Sequence, residues 1–363
     1  MLLLLGLFFG AQLTAQKLIP FTDGEKWGYS DPDRKIIIPL KYSECQRFNK
    51  TGFAIVTDNQ SFLVINKNGN EVFRLPDGTD VYQFDDKILI VRQYRSYPMT
   101  SLYGVYVLAT GNYSGLIYTS MDGFRDGYAP YNIDKTSGLL AADGTQLFHG
   151  KFEKIYWPSD GLCPAQINSK WGYVNMAGEI VIQPQFSGAY EFSEGLACAG
   201  SDKGVGYIDK SGAIVIPFEY QWTAHEAFRD GMAVVCKDGY YGCIDTKGNQ
   251  VLPHRFTFLS YEGKGVFNAM EGRTRTYIDR SGNKIFERPS SPVVGYSNGQ
   301  FMVQKNNYES FIDRSGNYLF PFFTKFLSVF EDGYAKIKYN DKKAYMDSTG
   351  KMFCTFAVPV ELL

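Results

Sequence analysis

Along this 363-residue chain, apolar runs of about four to six residues, rich in Val, Ile, Tyr and Phe, alternate with clusters of Gly, Asp, Asn and Pro. Runs of that length bounded by turn formers predict β-strands and leave no room for helices. The run from Gly231 to Cys236, the pair Asp238-Gly239 and the run from Tyr241 to Asp245 predict a hairpin closed by a two-residue turn. Its register sets Val235 against Gly242 and Ala233 against Ile244 on one face, with Met232, Val234, Tyr241 and Cys243 on the other. A second turn spans Asp245 to Gly248, where the carboxylate accepts backbone N–H bonds and the glycine takes positive φ. A third strand, Gln250 to Leu252, is expected to end at Pro253. Beyond it, aromatic-x-x-small-x-x-aromatic spacings (Tyr42, Cys45, Phe48; Phe186, Ala189, Phe192) predict a short fourth strand or a packed extended loop.

This unit recurs. Aligned on one slot, the copies carry Tyr29, Val64, Val105, Leu139, Tyr173, Tyr207, Cys243, Tyr277, Phe311 and Tyr345, at successive spacings of 35, 41, 34, 34, 34, 36, 34, 34 and 34. A glycine five residues later holds the same phase in eight copies from Gly69 to Gly350; the first copy has Arg34 in that slot, and in the third Gly111 follows Val105 by six. Two markers in one phase identify a tandem array. Both faces of each predicted hairpin are apolar, so each small sheet has to be covered on both sides, most simply by the preceding and following copies. The expected fold is all-β: about ten 34-residue antiparallel meanders in an open, twisted, solenoid-like array. A closed β-propeller is the alternative, because 34 residues is short for a propeller blade of about 40–45.

The same residues resemble the WG-repeat family. Lys26-Trp27-Gly28-Tyr29 and Lys170-Trp171-Gly172-Tyr173 carry its Trp-Gly-aromatic signature, Tyr241-Gly242 is close to it, and Thr276-Tyr277, Ser310-Phe311 and Ala344-Tyr345 have lost the pair. The resemblance covers roughly residues 26 to 355 and implies a bacterial repeat fold with a binding or scaffolding role, without specifying an activity.

Composition narrows the partner. A formal net charge of −1 lacks the basic footprint of a nucleic-acid or acidic-membrane binder. Residues 1–15 combine an apolar run from Leu2 to Phe9 with Leu13-Thr14-Ala15, which reads as a signal peptide cleaved after Ala15, despite the absence of Lys or Arg before Lys17. The segment is too short to span a bilayer. Residues 16–363 then form a single array domain, exported to the bacterial periplasm, the outer surface or the medium, with no membrane span after cleavage.

Candidate chemistry is sparse. The Asp-x-x-Gly tetrads at Asp209, Asp245, Asp279, Asp313 and Asp347 offer one carboxylate per turn, short of the six to eight oxygens calcium takes, so no metal and no cofactor is expected. Cys45 and Cys163 occupy slots filled by alanine elsewhere and read as core residues. Cys236 and Cys243, taken as lying on opposite faces, are not expected to bridge. His149, His225 and His254 sit in no nucleophile motif. Asp85-Asp86 and Glu331-Asp332 read as solvated turns, although acids from different copies could converge into a carbohydrate-active site.

The irregular copy is the informative one. The 41-residue spacing places its surplus in Arg92 to Met99, and insertions in repeat proteins map to loops, often on the binding face. Tyr94, Arg95 and Tyr97 are the expected partner-binding residues, with Trp157, Trp171 and Trp222 as the next side chains to consider. The expected function is a non-enzymatic scaffold binding a protein or glycan partner. The alternatives are a carbohydrate-active hydrolase using convergent carboxylates and a purely structural spacer.

Overall fold

The computed structural model describes residues 17–356 apart from 96–99, 224–225, 286–292, 298–299, 306–307, 314, 320–324, 329, 331–332, 340 and 350, so the leader expected over 1–15 lies outside the described residues. Within them the chain is all-β: ten antiparallel sheets of three or four strands, one per copy and numbered here 1 to 10 in chain order. The chain divides into two units, residues 1–74 with 325–363 and residues 75–324.

In copy 7 the strands Met232–Lys237 and Tyr240–Asp245 pair as the Asp-Gly turn requires, with Val235 opposite Gly242 and Ala233 opposite Ile244. The two faces go to different neighbours. Ala233, Val235 and Ile244 pack with Tyr207 and Ile216 of copy 6, and Met232, Val234 and Cys243 pack with Phe267 and Ala269 of copy 8. The aromatic spacing beyond the third strand yields a short strand in several copies, Glu44–Cys45 and Gly188–Ser193 among them, and it pairs with the following hairpin.

Two expectations need correction. Cys236 stands opposite Tyr241, and Cys243 opposite Val234, so alternation puts both cysteines on the same face, two pairs apart. A diagonal pair is typically about 7–8 Å apart, beyond disulfide reach, and all six cysteines are free and buried. Burial pushes the thiols of Cys45, Cys163, Cys198 and Cys243 up to about 12, the behaviour of inert core residues.

Nor does Pro253 end its strand, which runs from Gln250 to Phe256. Tyr241 faces Phe256 and Cys243 faces Leu252, so residues 253–255 bulge opposite the single residue Gly242. The three-against-one arrangement recurs at Gly28, Gly138, Gly172 and Gly206. A Cβ at Gly172 would lie 2.4 Å from the Ile182 carbonyl oxygen, and one at Gly28 would lie 2.3 Å from that of Ile38. Glycine is thus required where the bulge crosses the middle strand, and proline fits the bulge because it has no N–H to leave unpaired. Copy 2 carries Leu63 in this slot. Its third strand, Glu71–Arg74, is short and places Arg74 straight opposite Leu63.

The Asp-x-x-Gly turns close as expected. Asp209 Oδ1 accepts the Ser211 and Ala213 N–H groups, and Asp245, Asp279 and Asp313 repeat the pattern. Gly212 has φ 85° and its missing side chain faces Ile182 of copy 5, so one residue serves both turn and stacking. Arg34, in the same slot of copy 1, is held at φ 65°.

The first unit contains both ends of the array. Thr22 of copy 1 bridges Cys354 of copy 10, the Trp27 ring meets that of Tyr345 edge-on at 6.3 Å, and Lys336 of copy 10 pairs with Glu44. The first and last sheets therefore share one core, which also includes Phe353.

Candidate functional site

The surplus of copy 3 lengthens its hairpin. Strands Ile88–Arg95 and Thr100–Val107 have eight residues each, against six in the corresponding strands Tyr128–Ile133 and Thr136–Ala141 of copy 4. Tyr94 stands opposite Ser101 and is 60% exposed, and Arg95 is exposed opposite Thr100. Tyr97 lies outside the described residues. Deeper in the same sheet, Ile90 and Val105 are buried against Tyr118 and against Met121 and Ala129 of copy 4.

Between that core and Tyr94 lies a polar aromatic patch. Arg92 forms a two-pronged pair with Asp80, Nε to Oδ1 at 3.1 Å and Nη2 to Oδ2 at 2.6 Å. Its guanidinium lies 5.5 Å from the Tyr82 ring centroid, and Tyr82 meets Tyr103 edge-on at 5.2 Å. Asp80, Tyr94 and Tyr103 share the face of Arg92, through cross-strand pairing or a spacing of two. Burial raises the Asp122 carboxyl, opposed by Arg125, and burial followed by the neighbouring Tyr103 and Asp122 raises the Tyr82 hydroxyl. Exposed aromatic surface (Tyr94 and, at 39%, Tyr82) thus surrounds a paired donor and carboxylates. Such a patch can stack against a planar group or a sugar face while hydrogen-bonding its edge.

Of the three tryptophans singled out from sequence, two are committed to architecture. Trp171 is buried and stacks on Tyr156 at 4.9 Å. Trp157 donates from Nε1 to the Gly123 carbonyl at 2.7 Å, beneath the Arg125 guanidinium. Trp222 keeps an exposed edge and lies against Gly188 and Gly200.

The carboxylates weighed from sequence behave as turn residues or lie elsewhere. Asp85 accepts the Lys87 and Ile88 N–H groups, and Glu331-Asp332 fall outside the described residues. Sequence reasoning missed a different pair. Glu226 and Glu262 each follow the preceding copy's marker, Tyr207 and Cys243, by 19 residues, a recurrence that was visible but not used. Burial lifts the Glu226 carboxyl to about 7; Arg229 opposes the rise and Glu262 adds to it. Around the pair, Ser260 donates to Glu262 at 2.7 Å, Arg229 donates to the Tyr261 carbonyl, and the Tyr261 hydroxyl donates to Asp230. Among the described residues no three His, Cys, Asp or Glu side chains gather closely enough to hold a metal ion.

One family model matches this repeat. The WG containing repeat matches residues 27–60, 171–200, 206–241 and 241–268. The chain carries WG repeats. The Trp-Gly pair of that family is, in this chain, the bulge-bearing glycine preceded by an aromatic that packs between sheets. No curated protein matches the sequence. Among solved structures, that of a eukaryotic initiation factor is similar over 84% of this WG-repeat chain and 95% of its own, at 10% identity and a TM-score of 0.50. The β-propeller domain of the Trilobed protease from Pyrococcus furiosus is similar over 95% and 99%, at 10% identity and a TM-score of 0.35. The WD40 domain of Neurospora crassa Pan2 is similar over 76% and 91%, at 15% identity and a TM-score of 0.31.

Proposed function

We propose that this WG-repeat protein is an exported, non-enzymatic scaffold of the bacterial envelope or exterior that binds a protein or glycan partner at the lengthened hairpin of copy 3. The single observation that carries the reading is Tyr94, whose 60% exposure at the hairpin end exceeds the 48% of Tyr240 at the corresponding place in copy 7. The ends of the array are joined, supported by the core shared between copies 1 and 10.

Replacing residues 94–101 by Asn-Gly keeps the Arg92–Asp80 pair and the Gln93–Leu102 register. The shortened protein is expected to fold normally and to lose at least about tenfold in partner affinity, roughly 1.4 kcal/mol. Crosslinking in envelope extracts, with glycan arrays in parallel, reads the result; equal capture by both proteins removes the site from this hairpin. Sequencing the native N-terminus tests export, and an intact Met1 overturns it.

A second reading, a hydrolase with convergent carboxylates, draws support from Glu226 and Glu262, one of which has the raised carboxyl a general acid needs. Aryl-glycoside hydrolysis by the wild type that is abolished in Glu226→Gln would replace the scaffold reading.

A further inference from the structure

The lengthened hairpin of copy 3 outreaches its neighbour. Ile90, Arg92 and Tyr94 alternate onto one face of their strand, opposite Val105, Tyr103 and Ser101. Ile90 and Val105 are buried against copy 4, but the same face opens outward: Ile90 is 0% exposed, the Arg92 side chain 36% and Tyr94 60%. The two residues that each strand has beyond those of copy 4 carry the face about 7 Å further. A surface whose inner part is packed between copies thus becomes, at its outer end, an open ledge.

The ledge suits a ligand without net charge. Asp80, Arg92 and Tyr103 lie side by side on three adjacent strands. The two-pronged Arg92–Asp80 pair cancels its own charge yet engages only Nε and one N–H of Nη2, which leaves the Nη1 N–H groups as donors and a lone pair on each carboxylate oxygen as an acceptor. Donors and acceptors set next to one another complement adjacent hydroxyls, because every hydroxyl both donates and accepts. Tyr82 stands on the inner side of the pair, 5.5 Å from the guanidinium and 39% exposed, and Tyr94 stands two residues outward on the other side. The electron-rich faces of the two rings can take the C–H face of a sugar. With Arg92 already held, the ledge offers an acidic partner no free charge, and none of its side chains is aliphatic.

We propose that the partner bound at this ledge is a neutral glycan, with sugar rings stacked on Tyr82 and Tyr94 and adjacent hydroxyls on the Arg92–Asp80 pair. The inference rests on the copy 3 hairpin being the binding site.

An array of neutral and acidic oligosaccharides probed with the purified full chain tests it, followed by titration calorimetry of the best neutral binder at low and high salt. A neutral oligosaccharide is expected to bind with an affinity that salt leaves unchanged, since no ion pair to the ligand is there to be screened. Tyr94→Ala and Asp80→Asn should each weaken it at least about tenfold without lowering the thermal midpoint, whereas Tyr240→Ala, at the hairpin of copy 7, should leave it unchanged. Tyr94→Ala, which alters an exposed ring, suffices if Asp80→Asn fails to fold. No binding across the neutral panel, a preference for acidic glycans, an affinity that falls with salt, or wild-type affinity in folded Tyr94→Ala overturns the proposal. Shortening residues 94–101 separates this failure from that of the hairpin itself: loss of a crosslinked protein with a silent glycan array keeps the hairpin and gives it to a protein, and glycan binding that survives the shortening removes both from this place.

Discussion

The Tyr207 hydroxyl donates to the backbone carbonyl of Glu226 at 2.8 Å, reaching from the middle strand of copy 6 to the segment that leads into copy 7. Tyr29 does the same to Gln46 at 2.7 Å and Tyr173 to Tyr190 at 2.9 Å. Each ring also packs, tilted, on an aromatic two residues beyond its acceptor: Phe48, Phe192 and Phe228. The aromatic after the Trp-Gly pair is therefore a strap between neighbouring sheets, and burial pushes the Tyr173 and Tyr207 hydroxyls far up, keeping them protonated donors.

Tyr207→Phe should keep the ring packing and strand the acceptor carbonyl, at a cost of about 1–3 kcal/mol. Tyr240→Phe, on an exposed ring, should cost nothing measurable. Urea midpoints of the two variants check this, and equal midpoints remove the strap.

Gly206→Ala would place a Cβ 2.4 Å from the Ile216 carbonyl oxygen. Pushing the bulge away should cost about 1–3 kcal/mol, read as a lowered denaturation midpoint. A midpoint equal to wild type would mean that the bulge does not need the glycine.

Gly212→Val combines a left-handed backbone with a Cβ 3.0 Å from Ile182 Cγ2. It should cost at least about 1–3 kcal/mol and exceed Ser211→Val. Conversely, Arg34→Gly should raise the midpoint, relieving part of the about 1–2 kcal/mol that the left-handed region costs a non-glycine residue. Equal midpoints for Gly212→Val and Ser211→Val, or a drop for Arg34→Gly, contradict the turn assignment.

Glu226 has a folded value of about 7 against an ordinary 4.5. Between those values the native chain holds a proton that the unfolded chain has released. Its stabilising share is full below about pH 4.5 and is lost as pH rises through 7, leaving the ionised group opposing folding by about 3 kcal/mol at pH 8. Glu226→Gln should therefore match wild type near pH 4 and exceed it at pH 8. Parallel stability curves across that range would show that the carboxyl is not perturbed.

The repeat phase, the strands and the Asp-Gly register of copy 7 were legible because each rests on local chemistry: turn residues fix φ, and alternation fixes faces. The bulge was not legible, since Pro253 punctuates a strand and a bulge alike, and only the close approach at Gly242 distinguishes them. At the candidate site the length of the copy 3 insertion marked the hairpin. The Arg92–Asp80 pair depends on a partner twelve residues away across a sheet, and nothing in local spacing announces it. The Glu226–Glu262 approach was written in the repeat register, but its meaning required knowing that the slot is half-buried.

Several of the bonds that join the sheets of the second unit share one further property. Ser159 donates to the carbonyl of Phe192, Ser193 to that of Phe228, Gln83 to that of Phe124 and Arg229 to that of Tyr261, and the tyrosine straps likewise end on carbonyls. In each of these bonds the acceptor is main chain, present whatever side chain the neighbour carries, beside others that end on the Asp230 and Glu194 carboxylates. A copy can then drift in composition, as Thr276, Ser310 and Ala344 have, without forfeiting its attachment, and a duplicated unit arrives already able to join its neighbours. Lineages carrying such modules would be expected to differ in their number sooner than in the way they are joined.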